Sequence, residues 1–239
     1  MSGTTYEYIG QELDLFLGAR NWKRYWASAI RPYVSGDVLE VGAGLGANLG
    51  YLGNPAVRSL HCLEPDEALA GRLRDVAHDK PGVTVSTGTV GDLPRGSFDA
   101  VLYIDVLEHI EDDKGQLATA AGLLRPGGRL IVLAPAHQAL FSAFDAAIGH
   151  FRRYDRRSLA ACTPAPARLE ILWYLDSAGL LVSAANRVLL RQSLPTRAQI
   201  GFWDSYIVPV SRWLDPLSGH ALGKSVLAVW RNGDAIAGA

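Results

Sequence analysis

Short apolar segments recur along the chain, and amphipathic segments with helical spacing separate most of them. The apolar segments are bounded by turn-forming residues, as is typical of strands buried in a sheet. They predict strands over Asp37–Val41, Arg58–Leu63, Val83–Thr87, Phe98–Ile104, Arg129–Ala134, Arg168–Tyr174 and Ser225–Trp230. The helical patterns run from Asp66 to about His78, from Lys114 to Leu124 and from Ser177 to Arg191. Strands that alternate with helices predict an α/β fold with a mostly parallel sheet.

Parts of the chain before and after this alternation follow a different pattern. Apolar residues between Tyr8 and Val34 fall near one helical face, with Gly18 as a candidate break. The long detour before the final strand suggests that this strand runs antiparallel beside the sixth. We therefore expect a single domain over residues 1–239 with a seven-stranded, Rossmann-like sheet. Its parts are a helical N-terminal cover over 1–35, a core over 36–135, and cap insertions over 136–165 and 192–224.

Composition and charge indicate a globular protein. Of the 239 residues, 49% are hydrophobic and 20% are charged, and the formal net charge is −1. The chain has no long basic block, so we expect no nucleic-acid partner. It has neither a secretory signal pattern nor an apolar run of membrane-spanning length, so we expect a cytoplasmic protein with no integral membrane segment. The two cysteines do not suggest a disulfide framework, and the oligomeric state is left as monomer or homodimer.

A glycine-rich turn follows the first predicted strand and carries the first candidate chemistry. Gly42, Gly44 and Gly46 alternate there, and such a turn lets backbone N–H groups approach a ligand because no Cβ intervenes. The pattern fits the pyrophosphate of a dinucleotide, and it also fits S-adenosylmethionine, which carries a sulfonium and an amino group. Glu40, two residues before the first glycine, favours the cationic cofactor. Glu64, after the second strand, is placed to accept the ribose hydroxyls of either cofactor.

Five motifs together resemble the class I S-adenosylmethionine-dependent methyltransferases. They occur in the family's order between residues 36 and 135, and the last two are more specific than the glycines. The motifs are Glu40-Val41-Gly42-Ala43-Gly44-Leu45-Gly46, Leu63-Glu64-Pro65-Asp66, Phe98-Asp99-Ala100-Val101-Leu102, Asp105-Val106-Leu107-Glu108-His109-Ile110 and Leu124-Arg125-Pro126-Gly127-Gly128-Arg129-Leu130. The segment from Gly149 to Tyr154 further resembles a bacterial small-molecule subgroup. The resemblance implies a Rossmann-like methyltransferase domain with S-adenosylmethionine as its cofactor.

The resemblance also implies a set of cofactor-binding residues near the carboxyl ends of the first four strands. The set comprises Glu40, Gly42, Ala43, Gly44, Gly46, Asn48, Glu64, Pro65, Thr89, Val90, Asp105 and Val106. Glu40 would lie near the ammonium group of the methionine portion, and Asp105 would lie between that portion and the substrate. Where the family often has an aspartate that accepts from the adenine amino group, this chain has Thr89. That contact stays open, with Asp92 as the alternative.

Methyl transfer from a sulfonium depends mainly on approach geometry and on exclusion of water. A base is needed only if the acceptor must lose a proton. The candidates are His109, His137 and His150, which are predicted near the carboxyl ends of the fourth and fifth strands, although each could instead be structural. His150 is preferred because glycine, two arginines and a tyrosine share its loop. The predicted catalytic residues are His150, His109 and Arg152.

The arginines of this loop have two interpretations. Arg152 and Arg153 either clamp an anionic group of the substrate, such as a carboxylate or phosphate, or anchor a lid through Asp145 or Asp155. The sequence does not choose between them.

A metal site is a further candidate, because Asp105-x-x-Glu108-His109 resembles the Glu-x-x-Glu-His metal site of quinone-biosynthesis O-methyltransferases. The Glu-His pair is also frequent in methyltransferases without a metal, where it caps the following helix. We therefore expect no metal.

The sequence predicts a methyltransferase that acts on a small-molecule acceptor, with oxygen as the preferred methylated atom. N- or C-methylation, or a peptide or other macromolecular acceptor, are the alternatives. A non-catalytic cofactor-binding subunit and an NAD-dependent dehydrogenase are more distant ones. The aromatic segment from Phe202 to Leu217 is predicted to form a cavity wall or core in preference to a dimer face or a membrane-surface element.

Overall fold

The computed structural model describes residues 16–189 and 196–233. Its strands are β1 (Gly36–Val41), β2 (Val57–Glu64), β3 (Val83–Thr87), β4 (Phe98–Ile104), β5 (Leu124–Pro135), β6 (Arg168–Leu175) and β7 (Ser225–Arg231). Its α-helices are α1 (Arg20–Ile30), α2 (Leu49–Leu52), α3 (Glu67–Ala77), α4 (Asp113–Leu123), α5 (Ala143–Ala147), α6 (Arg156–Ala160), α7 (Ser177–Leu189), α8 (Arg197–Phe202) and α9 (Val208–Leu217). A π-helical turn over Trp203–Ile207 joins α8 to α9.

The strands form one sheet in the order β3-β2-β1-β4-β5-β7-β6. Strands β1 to β5 pair in parallel, so their carboxyl ends meet at one edge of the sheet. Strand β7 runs antiparallel to both β5 and β6, and Ser225 at its start pairs with Pro135 at the end of β5. The start of β7 therefore lies at the same edge. The predicted Rossmann-like seven-stranded sheet, with an antiparallel last strand beside the sixth, is confirmed.

Side chains alternate between two apolar cores, one on each face of the sheet. In β1, Val38 packs in one core, whereas Leu39 and Val41 pack in the other, as the period of a strand requires. Helix α1 covers the first core with Trp26 and Ile30, which are almost fully buried. Burying a large apolar side chain stabilises a fold by about 1.5–3 kcal/mol. Because both faces are covered, the strands appear in the sequence as continuous apolar segments.

Strand β5 is longer than its pattern predicts. It begins at Leu124 instead of Arg129, because Leu124 already pairs with Phe98 of β4. An irregularity follows, and it carries the strand past Gly127 and Gly128 before regular pairing resumes. The predicted helix end is nevertheless close, since α4 ends at Leu123. The Arg-Pro-Gly-Gly segment is therefore part of an irregular strand, where the sequence predicts a separate turn.

The predicted N-terminal helix is confirmed for its described part. Helix α1 begins at Arg20 after a turn that contains Gly18, and a 3₁₀ turn that contains Pro32 follows Ile30. Proline suits the first turn of a helix because its missing N–H needs no partner there. The remainder of the prediction, residues 8–15, lies outside the described residues, as does the predicted end of α7 at Arg191.

Buried aspartates fasten the second insertion to the rest of the fold. Asp215 accepts a hydrogen bond of 2.6 Å from the Tyr25 hydroxyl of α1 and another of 2.6 Å from the Asp176 backbone N–H. Asp176 accepts from the Trp203 indole N–H at 2.7 Å. A buried carboxylate is tolerated only where donors surround it. These contacts fix the α8–α9 segment against α1 and α7, and they make it one wall of a cavity.

The outer face of the α8–α9 segment is apolar. Ile200, Trp203 and Val208 point inward and are buried, as predicted for core and cavity wall. Large apolar side chains are also exposed in this segment at helical spacing, namely Tyr206, Val210, Trp213, Leu214 and Leu217. Within the described part of the chain, no helix combines the length and the apolar character needed to cross a bilayer.

Candidate functional site

A cavity of about 970 Å³ lies at the carboxyl ends of β1, β4 and β5 and is bordered by both insertions. In the strand order, β1 and β4 flank the point where the connections change direction, which is the usual ligand-binding position of an open α/β sheet. The predicted site residues that line the cavity are Gly42, Ala43, Gly44, Asn48, Asp105, His109 and His150. The fold therefore brings the glycine turn, the end of β4 and the His150 loop around one space.

Glu40 is a buried carboxyl next to the glycine turn. Its side chain is 1% exposed, and Oε1 accepts a hydrogen bond of 2.8 Å from the Asn48 amide. Burial raises the pKa of Glu40 to about 7; the Asn48 bond opposes this rise and the nearby Glu64 adds to it. A carboxyl with so perturbed a pKa is typical of a functional site. Its charge fits the ammonium group of the predicted cofactor, which the acid would stabilise when ionised.

Gly42 holds the turn in a conformation that favours glycine. Its φ is +67°, and a Cβ built there would lie 2.8 Å from Cγ2 of Val106. Its N–H donates to the Leu63 carbonyl at 2.8 Å. Val106, a predicted cofactor residue, thus supports the glycine turn from the loop after β4.

Gly42→Ala should lower the free energy of unfolding by about 1–3 kcal/mol, because it combines a left-handed backbone with a clash in a packed site. It should also weaken binding of S-adenosylhomocysteine. Urea unfolding and titration calorimetry measure the two effects. Gly50→Ala is the matched control, because Gly50 lies in α2 and a Cβ added to it would meet no heavy atom within 4 Å. Equal stability and affinity of the two variants would contradict the role of Gly42.

Gly46 has a packing role in the turn. Its φ is +74°, and a Cβ there would lie 2.6 Å from Leu73 of α3 and 3.0 Å from Leu49 of α2. Gly46 is absent from the cavity lining. The third glycine lets α3 approach the turn closely, which is one of the three roles that glycines have in such motifs.

Glu64 is bonded to the backbone of the same turn. Its Oε2 accepts from the Gly44 N–H at 2.8 Å, and its Oε1 accepts from the Asp66 N–H at 3.0 Å. Burial raises the pKa of Glu64, and these two hydrogen bonds oppose the rise. Glu64 therefore ties the end of β2 to the glycine turn, at the position predicted for the ribose hydroxyls.

The predicted adenine side lies beyond the cavity lining, at the ends of β2 and β3. Pro65 is half-buried there, and Val90 is buried in the core. Asp92 Oδ2 accepts from the backbone N–H of Thr89 at 2.8 Å and from its hydroxyl at 2.9 Å. Both candidates for the adenine contact are thus engaged with each other in a capping box. The adenine contact stays a prediction.

Asp105 follows β4 in a strained conformation. Its φ is +54°, which is uncommon outside glycine and often marks a functional position. Its carboxyl is accessible from the cavity, yet protein surrounds it, and this burial raises its pKa to about 6. The nearby basic side chains of His150, Lys224 and Lys23 act in the opposite direction. Asp105 therefore lies where the glycine turn and the His150 loop face each other.

His150 is oriented by a buried aspartate. Its Nδ1 lies 3.1 Å from Oδ1 of Asp145, and Asp145 is 1% exposed. Burial opposes ionisation of Asp145, but hydrogen bonds from His150 and Arg153 outweigh it and hold the pKa of Asp145 well below its usual range. In a neutral His150 ring, an ionised Asp145 that accepts from Nδ1–H places the lone pair on Nε2. This arrangement prepares His150 to accept a proton.

Two further side chains contact the His150 ring, those of His109 and Glu108. His109 packs edge-on against it with ring centroids 4.5 Å apart, and burial, aided by His150, lowers the pKa of His109 to about 4. Glu108 Oε1 lies 3.8 Å from His150 Nε2, and Oε2 is buried without a hydrogen-bond partner. Burial raises the pKa of Glu108 well above its usual range, and Asp105 adds to this. At neutral pH we therefore expect His109 to be neutral, while burial disfavours the charged form of Glu108.

A group of three side chains could hold a metal ion. Each offers one potential ligand atom, and these atoms lie within 4.8 Å of one another; the residues are Glu108, His109 and His150. Two imidazoles and a carboxylate suit several divalent cations. A carboxyl binds a metal in its deprotonated form, and burial opposes that form of Glu108. Asp105, the first member of the sequence pattern, is outside this group. The expectation of no metal stays a prediction.

Arg152 and Arg153 have separate partners. Arg152 Nη1 lies 2.7 Å from Asp113 Oδ2, and its Nη2 donates to the Glu111 carbonyl at 2.7 Å, away from the cavity lining. Arg153 lines the cavity and donates to both oxygens of Asp145. Each arginine is therefore a loop anchor in this structure. The anchor of Arg152 is Asp113, where the sequence suggests Asp145 or Asp155.

Two lysines of the cavity are not among the predicted site residues. Lys23 of α1 and Lys224 before β7 both line it, and Lys224 Nζ lies 4.0 Å from the ring centroid of Trp203. They are more than two hundred residues apart, so only the fold brings them together. His137, a candidate base, is outside the lining, and its Nε2 lies 2.9 Å from the Gly223 carbonyl oxygen.

The central part of the chain is similar in sequence to known methyltransferases. Residues 39–132 match the family model described as a methyltransferase domain. The demethylmenaquinone methyltransferase of Tropheryma whipplei (strain Twist) is 31% identical over 136 residues, which are 54% of this chain and 54% of that protein. The ubiquinone biosynthesis O-methyltransferase of Xanthomonas axonopodis pv. citri is 32% identical over 148 residues, which are 51% of this chain and 59% of that protein. The chain thus spans little more than half the length of these curated relatives.

Solved structures share the fold over a larger part of the chain. The S-adenosylmethionine-dependent methyltransferase of Mesorhizobium loti superposes with a TM-score of 0.59 at 16% identity, and the match covers 90% of this chain and 98% of that one. At this identity the likeness shows the fold. The core that carries Glu40, the glycine turn and Asp105 lies within the matched family region.

Proposed function

Residues 39–132 carry a methyltransferase domain, and on this premise we propose that the protein transfers a methyl group from S-adenosylmethionine to an oxygen of a small-molecule acceptor. The observation that carries the proposal is one cavity that is bordered by a glycine turn, with the buried acid Glu40 beside it, and by an imidazole aligned by Asp145. The first feature suits a cationic methyl donor. The second suits an acceptor that must lose a proton. The name of the Xanthomonas relative, an O-methyltransferase, supports oxygen as the methylated atom.

On the donor side, the residues bind and orient. Glu40 would pair with the ammonium group, Asn48 would hold the Glu40 carboxylate in place, and the backbone of Gly42 and Gly44 would line the methionine portion. S-adenosylmethionine, when bound, supplies a methyl group on a sulfonium and leaves as a neutral thioether. The leaving group therefore needs no counter-charge. Fixing two reactants in line can contribute about 7–11 kcal/mol to lowering a barrier.

On the acceptor side, His150 would take the proton. Nε2 of His150 would receive it from the acceptor hydroxyl, and the ionised Asp145 would stabilise the resulting imidazolium. Arg153 keeps Asp145 ionised. Such a base contributes about 10²–10⁴-fold to the rate. The apolar wall formed by Trp22, Trp26 and Trp203 would exclude water from the reacting atoms.

Two measurements test the proposal. Titration calorimetry should show binding of S-adenosylhomocysteine and none of NAD. Incubation with methyl-deuterated S-adenosylmethionine and a small-molecule extract should give a product that carries the deuterated methyl group on oxygen, as identified by mass spectrometry and NMR. Binding of NAD without S-adenosylhomocysteine would overturn methyl transfer altogether. Products labelled only on nitrogen or carbon would overturn the assignment to oxygen.

A further inference from the structure

Lys224 is a cation of the cavity that lacks an anionic partner. Three cationic side chains line the cavity among the described residues, namely those of Lys23, Arg153 and Lys224. Lys23 Nζ donates to two backbone carbonyls at 2.9 and 3.1 Å, and Arg153 pairs with Asp145. In the described part of the chain, no carboxylate lies within 4.0 Å of Lys224 Nζ and no acceptor is hydrogen-bonded to it. Its Nζ lies over the face of the Trp203 ring, 4.0 Å from the ring centroid.

This environment leaves the ammonium group incompletely satisfied. Burial lowers the pKa of Lys224, while the negative charges of Asp176 and Asp105 favour its charged form from a distance. A cation over an indole ring gains some stabilisation, but an ammonium group has three N–H donors, and unsatisfied donors in a low-dielectric site are costly. An anionic oxygen bound in the cavity would satisfy them. Lys224 thus presents a positive charge with N–H donors to the cavity.

The position of Lys224 assigns these donors to the acceptor side. Lys224 immediately precedes β7, whereas the glycine turn follows β1, and the strands between them are β4 and β5. Adjacent strands are about 4.8 Å apart, so three steps across the sheet separate the two features by about 14 Å. The backbone of Lys224 is thus separated from Glu40 and the glycine turn, while its charge acts on Asp105 between the two sides. It faces the part of the cavity that lies between the two insertions.

The side chains that line the cavity around Lys224 indicate the shape and polarity of the ligand. Aromatic side chains from α1 and from both insertions line this space, namely Trp22, Trp26, Phe141, Phe144, Phe202 and Trp203. Such walls favour flat, apolar ring systems. We propose that Lys224 binds an anionic oxygen, a carboxylate or a phenolate, on an aromatic methyl acceptor, and so selects acidic aromatic acceptors. This inference rests on the proposed function, because it identifies the cavity as the acceptor site.

A pair of probes with the same ring and different charge tests the inference. Naphthoate and naphthamide are titrated into protein saturated with S-adenosylhomocysteine. The unaltered protein should bind naphthoate about tenfold more tightly than naphthamide, since a charge-assisted hydrogen bond is lost in the amide. Lys224→Met, which keeps an apolar chain over Trp203, should abolish this preference. Lys224→Arg should keep most of it, and Lys80→Met, on an exposed turn, should leave it unchanged.

The affinity for S-adenosylhomocysteine separates the possible outcomes. The inference requires that Lys224→Met bind it as tightly as the unaltered protein does. A large loss in that variant, with an unchanged melting temperature, would assign Lys224 to the cofactor and overturn the inference. A charge preference that persists in Lys224→Met, or that is absent from the unaltered protein, would overturn it too. Failure of the unaltered protein to bind S-adenosylhomocysteine would instead overturn the proposed function.

Discussion

Glu40→Gln should bind S-adenosylhomocysteine about 100-fold more weakly than the unaltered protein at pH 8. The expected loss follows from one buried ionic hydrogen bond, which contributes about 1.5–3 kcal/mol to binding. S-adenosylhomocysteine is a suitable probe because it keeps the ammonium group and lacks the sulfonium. Glutamine retains the size of the side chain and can still bond Asn48, so the turn should persist. Titration calorimetry gives the two dissociation constants.

The pH dependence of binding distinguishes the charge of Glu40 from its shape. The pKa of Glu40 is raised to about 7 in the free protein, and only the ionised form attracts a cation. Affinity should therefore rise with pH up to about 7 and level off above it, with binding at pH 6 about tenfold weaker than at the plateau. Glu40→Gln should show a flat profile. Asp79→Asn removes an equal charge from an exposed turn and should behave as the unaltered protein does. A profile that keeps its slope in Glu40→Gln would refute the assignment.

The same raised pKa has an opposite effect on the ligand-free fold. Below the ordinary pKa of 4.5, the Glu40 carboxyl is protonated in both the folded and the unfolded chain. Its ionisation then adds no penalty to the free energy of folding. As pH rises, the unfolded chain ionises first, so a penalty against folding grows until pH reaches about 7. At pH 8 this penalty is on the order of 3 kcal/mol. Glu40→Gln should therefore be more stable than the unaltered protein in urea at pH 8, and the difference should shrink at pH 5.

The parts of this site that could be predicted are those with a short-range cause. The glycine turn could be found because positive φ and close approach select glycine at Gly42 and Gly46 whatever the rest of the chain does. The strands could be found because burial on both faces leaves a continuous apolar segment. Glu40 and Glu64 could be placed because each lies within two residues of a strand end. In these cases the neighbours along the chain carry the information.

The acceptor side could not be predicted in the same way, because its contacts join distant segments. Asp145 shares a loop with His150, yet nothing in the spacing shows that it stays ionised and bonds Nδ1. Arg152 and Arg153 are adjacent in sequence, but Arg152 pairs with Asp113 and Arg153 pairs with Asp145. Lys224 can be recognised as a candidate site residue only in the folded protein, where the segment that contains α8 and α9 brings Trp203 against it. Side chains that depend on the packing of irregular insertions have no periodic pattern to reveal them.

His150→Gln should lower kcat by about 10²–10⁴-fold and leave the affinity for S-adenosylhomocysteine within a factor of about two. The reason is that His150 lies on the acceptor side and would act only on the proton. Asp145→Asn should cause a comparable loss, because an amide can no longer accept from Nδ1–H while holding Arg153 in the same way. The measurement is initial rate against acceptor concentration, with the acceptor identified in the labelling experiment. His78→Gln, at the exposed end of α3, is the control and should be fully active.

A base and a metal ligand make opposite predictions for chelation. If His150 accepts the proton directly, dialysis against EDTA should leave kcat unchanged, and a raised pH should partly restore His150→Gln, because the acceptor then loses its proton to water. If Glu108, His109 and His150 held a required cation, EDTA would abolish activity and a divalent salt would restore it. The hydrogen bond between His150 Nδ1–H and Asp145 is compatible with both roles, because a histidine that binds a metal also donates its other N–H to a carboxylate. The burial of Glu108 favours the first outcome, because it opposes the ionised carboxyl that a cation requires.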